Sequence, residues 1–597
     1  MKKPLSVAPL CLFLTVFQPL IGQAQTTGNT DRPQAYLAAP ADPVDYYRKL
    51  LRAEDLLAQQ KWGDAETLLR EVTSAYPLAT AAAPNHSPWG ELGMALQKQG
   101  KHAQAIRAYD RVIALQGPGL AYPGVSNALY QIAVSDAALG ARDAALAALD
   151  RMVKTQAYVA RPDLLTDKAF ANLRNDPRFR QIAGAENVSH LDRTAGWRRD
   201  IDHMVAELRR VSPAGATIPN VFYARVKALK ASVPRLNDEQ IAMGISEAMN
   251  ALDRGHTAMW FGDTEAGTRL DYRPLPVRFY EFPEGLFITE GWQGSEALAG
   301  AEVLKIGNTP AAEALRRAGG TKSNESPMEI LWAGPQILVR PGVLKGLGLE
   351  ERADTAELTL KMPDGTIVTR RIHVGVEPPP DQWRRKLNAP PNVRPPLWLE
   401  NIKRNHWLKA LAGHDAIYAQ VNNIDDDPDE TMQQFGISLR QALADSKTHN
   451  LILDLRHNNG GNTFRYVELL RTVIAFSTSN DNHVYVLIGR GIYSAAANLT
   501  ADLERLARPV FVGEPTSGSG NQFGDESRFV LPYSKLVGAH SGTRWQLSHP
   551  WDERRSIVPQ VPVQLTAKAY FAGADTVLET VFRLIADTDA APSPNSR

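Results

Sequence analysis

Ser494 stands where a serine can do acyl-transfer chemistry. It follows the apolar run 484–488 and the turn Gly489-Arg490-Gly491-Ile492-Tyr493, and it precedes the Ala-rich stretch 495–508, whose spacing predicts a helix. A hydroxyl between a strand end and a helix start is exposed. The free N–H groups of the helix's first turn can receive a developing oxyanion. A second apolar run, 451–455, ends at Arg456-His457-Asn458-Asn459-Gly460-Gly461-Asn462. Paired glycines there let backbone amides approach a substrate carbonyl closely. The competing reading of Ser494 is a helix N-cap, the commoner role of serine at such a junction. For the glycines it is a plain tight turn.

In this order and at these separations, DLRHNNGG, IYSAAANL and FVGEPTSGSGNQFGD resemble the C-terminal-processing (tail-specific) serine protease family, over residues 188–586. The resemblance implies a serine-type peptidase with Ser494 as nucleophile. The N–H of Ala495 would be one oxyanion donor, and Gly460 or Gly461 would supply the other. Members of the Ser–Lys type carry a lysine after VGE. Here the stretch is Thr516-Ser517-Gly518-Ser519-Gly520, with no lysine between His483 and Lys535, so a Ser–Lys dyad is not expected. The tricorn-type branch takes its base from a distant upstream histidine. Its counterpart is His256 in Asp253-Arg254-Gly255-His256-Thr257, which would take the Ser494 proton and pass it to the leaving amine. That branch also has an orienting acid before a hydrophobic-x-Pro-Asp motif. Asp552 and Glu553 are the counterparts, and Gln560 replaces the usual aspartate. Asn521 and Asp525 are expected to shape the substrate cleft, and His457 to face solvent. For the carboxylates the competing reading is a solvated turn or an arginine pair. The departures at Ser519 and Gln560 sustain a second reading, a non-catalytic binder of peptides or hydrophobic ligands on the same scaffold. A third is an adaptor acting through the N-terminal helices.

The elements that must position these residues are legible as a multidomain α+β fold. IYAQVNNI, LILDLR, VYVLIG and PVFVGE read as four strands of a mostly parallel sheet in an α/β core at 401–586. Residues 269–376 read as a β-rich, PDZ-like module. PLPVRFYEFPEGLFITE gives two strands, AELTLKMPDGTIVTRRIHV is a hairpin about Pro363-Asp364-Gly365, and 319–349 is an insertion. A helical segment at 187–268 precedes it, with a helix start at Asn237 and Gln240. Residues 45–186 repeat a helical-hairpin pattern with turns at Trp62, Gly100 and Gly140, 38 and 40 positions apart. Trp89, Leu92, Gly93, Leu96, Ala105 and Tyr109 fit a tetratricopeptide repeat, whose period is about 34 residues, so insertions are required. DKAFANLRNDPRFRQIAG is expected to close the array as a capping helix. Residues 25–44 and the Pro-rich 377–400 read as linkers, and 587–597 as a disordered tail.

MKKPLSVAPLCLFLTVFQPLIGQAQ reads as a signal peptide over 1–24, so the expectation is export, to the periplasm where the cell has an outer membrane. Cys11, the single cysteine, lies within it, so the mature chain forms no disulfide. The 597 residues carry a net charge of +1 from 66 basic and 65 acidic side chains, which argues against nucleic acid as a partner. No later stretch is long and apolar enough to span a membrane. No His/Asp/Glu spacing suits zinc and no Walker-type glycine motif occurs, so neither metal nor cofactor is expected. The expected partners are a protein or peptide substrate and a protein bound by the helical repeats.

Overall fold

The computed structural model describes residues 40–76, 87–116, 123–155, 163–210, 217–264, 268, 270–322, 325–376, 387–390 and 393–590. The expected signal peptide, most of the 25–44 linker, most of the insertion AAAPNHSP expected at 81–88, much of the Pro-rich crossing and most of the 587–597 tail lie outside the described residues. The chain forms two compact units, dividing between Leu139 and Gly140.

The first unit is a run of helices, α1 (Pro43–Ala58), α2 (Trp62–Ala75), α3 (Pro88–Lys98), α4 (His102–Gln116) and α5 (Pro123–Ala138). Asp42 caps α1 and Ser87 caps α3, each followed by a proline that has no N–H to satisfy. Leu56, Leu69, Leu92, Leu96, Tyr109 and Leu129 form the buried seam. At Gly93 the helices come so close that a Cβ would lie 2.8 Å from the Tyr109 ring, so the small residue of the repeat pattern is a packing requirement. The division leaves the first helix of the third expected hairpin here, and its second, α6 (Arg142–Thr155), in the second unit. The expected capping helix is broken. It consists of a 3-10 turn (Lys168–Phe170) and the short α8 (Pro177–Ile182), because Asp167 and Asp176 each cap a new start and Pro177 cannot continue an earlier helix; α7 is the single turn Asp163–Thr166.

The second unit holds an α/β layer whose sheet runs β15-β12-β11-β10-β9-β8. Its strands are β8 (His406–Leu411), β9 (Ala416–Val421), β10 (Asn450–Asp454), β11 (His483–Ile488), β12 (Val510–Gly513) and β15 (Val561–Pro562). All pair in parallel except β8 with β9. The four central strands are those expected from sequence. Both faces are covered, so they read as unbroken apolar runs rather than alternating ones. Leu451, Leu453, Val484 and Val486 pack on one face under α15 (Met432–Ser446), α16 (Val467–Ser477) and α17 (Ala495–Leu506). Ile452, Tyr485 and Leu487 pack on the other face under α19 (Thr576–Ala590). Each fully buried aliphatic side chain here contributes roughly 1.5–3 kcal/mol.

Two further sheets complete this unit. One runs β2-β3-β4-β6-β7 and is antiparallel, from β2 (Val277–Phe282), β3 (Gly285–Gly291), β4 (Glu302–Ile306), β6 (Thr355–Lys361) and β7 (Ile367–His373); β5 (Thr309–Pro310) pairs with β4. The β6–β7 hairpin turns at Pro363-Asp364-Gly365, as the sequence predicts. Beside the sheet lie α12 (Ala311–Gly319), then α13 (Pro327–Leu338) and α14 (Pro341–Gly346), which form within the insertion. The other sheet is β1-β14-β13, from β1 (Ala258–Thr264), β13 (Asn521–Val530) and β14 (Leu536–Gln546). It packs on α9 (Arg193–Arg210), α10 (Asn220–Ser232) and α11 (Asp238–Asn250), the last opened by a capping box of Asn237 and Gln240. Asp200 of α9 accepts from the amides of Tyr533 and Ser534 at 2.7 and 2.8 Å, fastening the β13–β14 turn to the helices.

Candidate active site

β10 and β11 pair in register from Asn450↔His483 to Asp454↔Leu487, so their carboxyl ends emerge side by side. Ligands of open parallel sheets sit outside such strand ends. The turn after β11 delivers Ser494, and the turn after β10 delivers Gly460 and Gly461.

Ser494 occupies the N-cap position of α17, yet its side chain makes no capping hydrogen bond. Its backbone has φ 54° and ψ −131°, a region that L-residues other than glycine rarely enter. Holding it there costs of order 1–3 kcal/mol. The next amide, Ala495 N–H, is the first of the helix and has no intrahelical acceptor. Gln522 of β13 clamps the bend, donating from Nε2 to the Ser494 carbonyl and to Asn498 Oδ1, both at 2.8 Å. The bend therefore depends on a strand from the other sheet.

Gly460 lies directly against Ser494. A Cβ there would stand 2.7 Å from Ser494 Cβ and 3.2 Å from Ala495 N, and the φ of 122° excludes one on backbone grounds as well. The turn is anchored at its start by the buried Arg456, which reaches Asp454 and Asp575, the latter at 2.8 Å. The Gly460 N–H donates to Asn458 Oδ1 at 3.0 Å, and its carbonyl accepts from Ile424. Of the two glycines expected to supply an oxyanion donor, Gly460 thus has its amide engaged, and it serves as the surface against which Ser494 packs.

His256 is brought beside Tyr493, the neighbour of Ser494, from 237 residues upstream. Its Nδ1 is 2.9 Å from the carbonyl oxygen of Phe523 on β13. A carbonyl only accepts, so Nδ1 carries the proton and the neutral ring keeps its lone pair on Nε2. Tyr493, the neighbour of Ser494, stacks on the imidazole, and its hydroxyl accepts from the His256 amide at 2.6 Å. Burial, helped by the Lys322 ammonium and opposed by the Phe523 carbonyl, lowers the His256 pKa to about 4. Among the described residues no hydrogen bond joins Ser494 to His256.

Glu325 was not singled out from the sequence. It precedes α13 in the insertion and accepts from the Phe523 amide at 3.0 Å, so it holds the residue that holds the histidine. Burial raises its pKa to about 8, with the Glu329 and Asp253 charges adding to the effect and the Phe523 and Gly255 amides opposing it. A Cβ on Gly255 would come within 2.3 Å of Glu325 Oε2 and 2.6 Å of the Tyr493 hydroxyl, so any larger residue before His256 would push one of these side chains aside. Lys322, paired with Glu329 at 2.6 Å, lies 5.4 Å from the centre of the Tyr493 ring. A lysine does therefore stand near the site, from a part of the chain where the family motif gives no reason to seek one. A lone glutamate in a loop carries no local signal that could have revealed Glu325.

The remaining expected residues lie elsewhere in the network. Asp552 bonds Ser548 and Arg554, and Arg554 holds its carboxyl well below the usual range; Glu553 is exposed. Neither hydrogen-bonds His256, so the orienting acceptor in this structure is a main-chain carbonyl. Asn521 spends its amide on the 548–552 turn, donating to the His549 and Asp552 carbonyls and accepting from Ser548 N–H. It holds that turn. Asp525, half-buried with φ 53°, bonds Trp545 and Thr543, and burial raises its pKa. His457 does not face solvent as expected. It stacks on Trp398 with ring centres 4.9 Å apart and bonds the Trp398 carbonyl, because Trp398 folds over the start of the turn. Ser519, where a dyad lysine would be sought, is 3% exposed and bonds the Asn521 carbonyl. Among the described residues no group of three or more His, Cys, Asp or Glu side chains is placed to hold a metal ion, and no helix is long and apolar enough to cross a membrane.

Residues 91–115 match the family described as Tetratricopeptide repeat. No curated protein matches the chain. Among solved structures, mature CPAF is similar at 14% identity with a TM-score of 0.48, covering 67% of this chain and 99% of that one. The photosystem II D1 C-terminal processing protease is similar at 15% identity and 0.32, covering 66% and 98%. The tricorn protease is similar at 11% identity and 0.30, covering 66% and 37%.

Proposed function

We propose that this chain is a serine peptidase in which Ser494 is the nucleophile and His256 the general base. The observation that carries the reading is that Ser494 sits at a helix N-cap, in a strained conformation, and does not cap. A structural serine would spend its hydroxyl on the helix and would not be held at positive φ. Strained strand-to-helix bends of this kind present nucleophiles.

Ser494 Oγ attacks the carbonyl carbon of a peptide bond while its proton passes to Nε2 of His256. The tetrahedral oxyanion accepts from Ala495 N–H and from Gly461 N–H. His256 then gives the proton to the leaving amine, and water, deprotonated by the same nitrogen, releases the acyl group. The Ser494–His256 hydrogen bond forms as substrate closes the site, since such contacts are commonly long in the free enzyme. Glu325 acts through Phe523 as a positioning residue. Asp552, Glu553, Asn521 and Asp525 support the rim and do not touch the reacting atoms.

The same reading assigns export to the N-terminal segment, a PDZ-like role to the β2–β7 sheet beside the site, and a protein partner to the helical repeats.

A fluorophosphonate probe on the mature protein tests the assignment. Labelling of the wild type that is lost in Ser494→Ala and His256→Ala is the expected result. Absence of labelling in well-folded wild type would favour a binding protein without catalysis. Labelling that survives His256→Ala would remove His256 as the base.

A further inference from the structure

Arg456, the first residue of the glycine turn, is joined to Asp575, 119 residues further along and directly before α19. Nη1 donates to Oδ1 and Nη2 to Oδ2, both at 2.8 Å. The same guanidinium meets Asp454, the last residue of β10, through Nε at 3.0 Å and Nη2 at 2.6 Å. The three side chains are at most 9% exposed, and the Trp398 ring covers the guanidinium at 4.6 Å. We propose, on the basis of the peptidase assignment, that Asp575 is a positioning residue, which holds the Gly461 amide and the turn before Ser494 in place through Arg456. This makes the C-terminal helix part of the machinery that presents the oxyanion donor.

The two carboxylates have different tasks. Asp454 is two residues from Arg456 and also accepts from the Arg456 amide at 3.0 Å and the Tyr418 hydroxyl at 2.7 Å. It folds the guanidinium back on its own strand and ties it within the sheet. Asp575 ties it to a separate layer, since α19 packs on the sheet face opposite α17. Asp575 is itself fixed, because its Oδ1 accepts from the Leu578 amide at 3.0 Å and so caps α19. Capping needs one oxygen, yet both oxygens are turned to the arginine. Desolvation offsets much of the attraction in a buried pair, so stability alone is a weak reason for this one. A bidentate pair fixes orientation as well as distance.

Arg456 touches both turns of the site. A Cβ on Gly489 would lie 3.8 Å from Arg456 Cγ, and one on Gly491 would lie 2.6 Å from the Arg456 carbonyl oxygen, so Arg456 borders the turn that leads to Ser494. Asn459 Nδ2 donates to the Gly491 carbonyl at 3.2 Å, which laces the two turns together. At its far end the glycine turn is pinned by Ile424, whose amide donates to the Gly460 carbonyl at 2.8 Å and whose carbonyl accepts from the Asn462 amide at 2.9 Å. Arg456 pins the near end. With that pin loosened, the peptide that carries the Gly461 N–H can rotate between them, and a donor displaced by about 1 Å costs on the order of 100-fold in rate.

Asp575→Asn in the full-length protein tests the role. It keeps a capping oxygen for α19 and leaves Arg456 balanced by Asp454, so no buried charge is stranded. Asp575→Ser also keeps a cap and serves if the first variant does not fold. With a fluorophosphonate, kinact should fall at least about 30-fold while KI stays within about threefold, because the oxyanion donor is engaged only in the transition state. Ile585→Ala removes a buried side chain from the same helix, ~15 Å along its axis, and should leave kinact unchanged. Amide exchange across 457–462 and 489–494 should quicken at least about tenfold in Asp575→Asn and not in Ile585→Ala. An unchanged kinact, a loss carried by KI, or an equal loss in Ile585→Ala overturns the positioning role. Unchanged exchange in those two segments overturns it as well. Wild type that takes no label overturns the peptidase assignment instead, and the exchange comparison still decides whether Asp575 holds the two turns.

Discussion

Tyr493 lies flat on His256. The ring centres are 4.5 Å apart with 19° between planes, and the phenolic oxygen is 3.0 Å from Nδ1. Tyr493 precedes Ser494 in the chain, so the same short segment presents the hydroxyl and seats the imidazole. This geometry couples the two residues that the proposed chemistry needs.

Tyr493→Phe keeps the stacked ring and removes the hydroxyl that accepts from the His256 amide. Loss of one hydrogen bond of about 1–1.5 kcal/mol at a positioning contact predicts a fall of roughly tenfold in fluorophosphonate labelling rate, with the fold retained. Circular dichroism checks the fold. An unchanged rate would show that the stack alone seats the ring.

The buried imidazole sets the pH dependence. An ordinary histidine base loses activity as pH falls through about 6.5. His256, lowered to about 4, stays neutral across that range, so the labelling rate should stay level from pH 8 down to pH 6 and fall only toward pH 4. Because the folded pKa lies below the unfolded one, the stability contributed by this neutral ring is full above about 6.5 and is lost as pH falls toward the folded value. An acid limb at pH 6.5 in still-folded protein would contradict the burial of the ring.

Glu325 titrates in the opposite sense. Its pKa is raised from the ordinary carboxylate range to about 8, so it is protonated at neutral pH and its contribution is lost as pH rises through 8. Glu325→Gln keeps the acceptor for the Phe523 amide and cannot ionise. The variant should hold its Tm better between pH 7 and pH 9.5, by at least about 2 °C relative to wild type, while labelling at pH 7 stays within about threefold. A parallel decline of both proteins would place the ionised carboxylate in contact with water.

Ser494→Gly removes the proposed nucleophile and the backbone strain together. Glycine tolerates φ 54° without penalty, so the variant should gain about 1 kcal/mol of stability while losing all labelling. Ser494→Ala keeps the strain and should not gain. A urea titration of both variants separates the two effects.

Local pattern was enough for the central strands and for some helix starts, though not for the expected capping helix, which is broken. The apolar runs at 451–455 and 484–488 became β10 and β11 because a strand covered on both faces has no polar side to display. Asn237 and Gln240 became a capping box because that motif closes within one turn of backbone. Ser494 at the mouth of α17 and the glycine turn at Gly460 and Gly461 were visible for the same reason, since a tight turn is a property of adjacent residues. The sequence also supplied His256, through resemblance to a family motif, though no spacing in the chain connects it to Ser494.

Tertiary structure decided what those residues touch. That Phe523 lends a carbonyl to His256 follows from β13 pairing with β14 in a hairpin and from β14 pairing with β1, a contact across more than two hundred residues. Backbone groups are the same at every position, so sequence cannot mark one as an acceptor. Glu325 and Lys322 arrive from the insertion, and Asp552 turns to Arg554, because a charged side chain takes whichever partner the packed chain brings within reach. The sequence alone determined the central strands, the turns and the place of Ser494 between a strand and a helix. Only the fold determined the histidine's acceptor and the buried acid behind it, since each is a long-range juxtaposition and leaves no periodic trace in the chain.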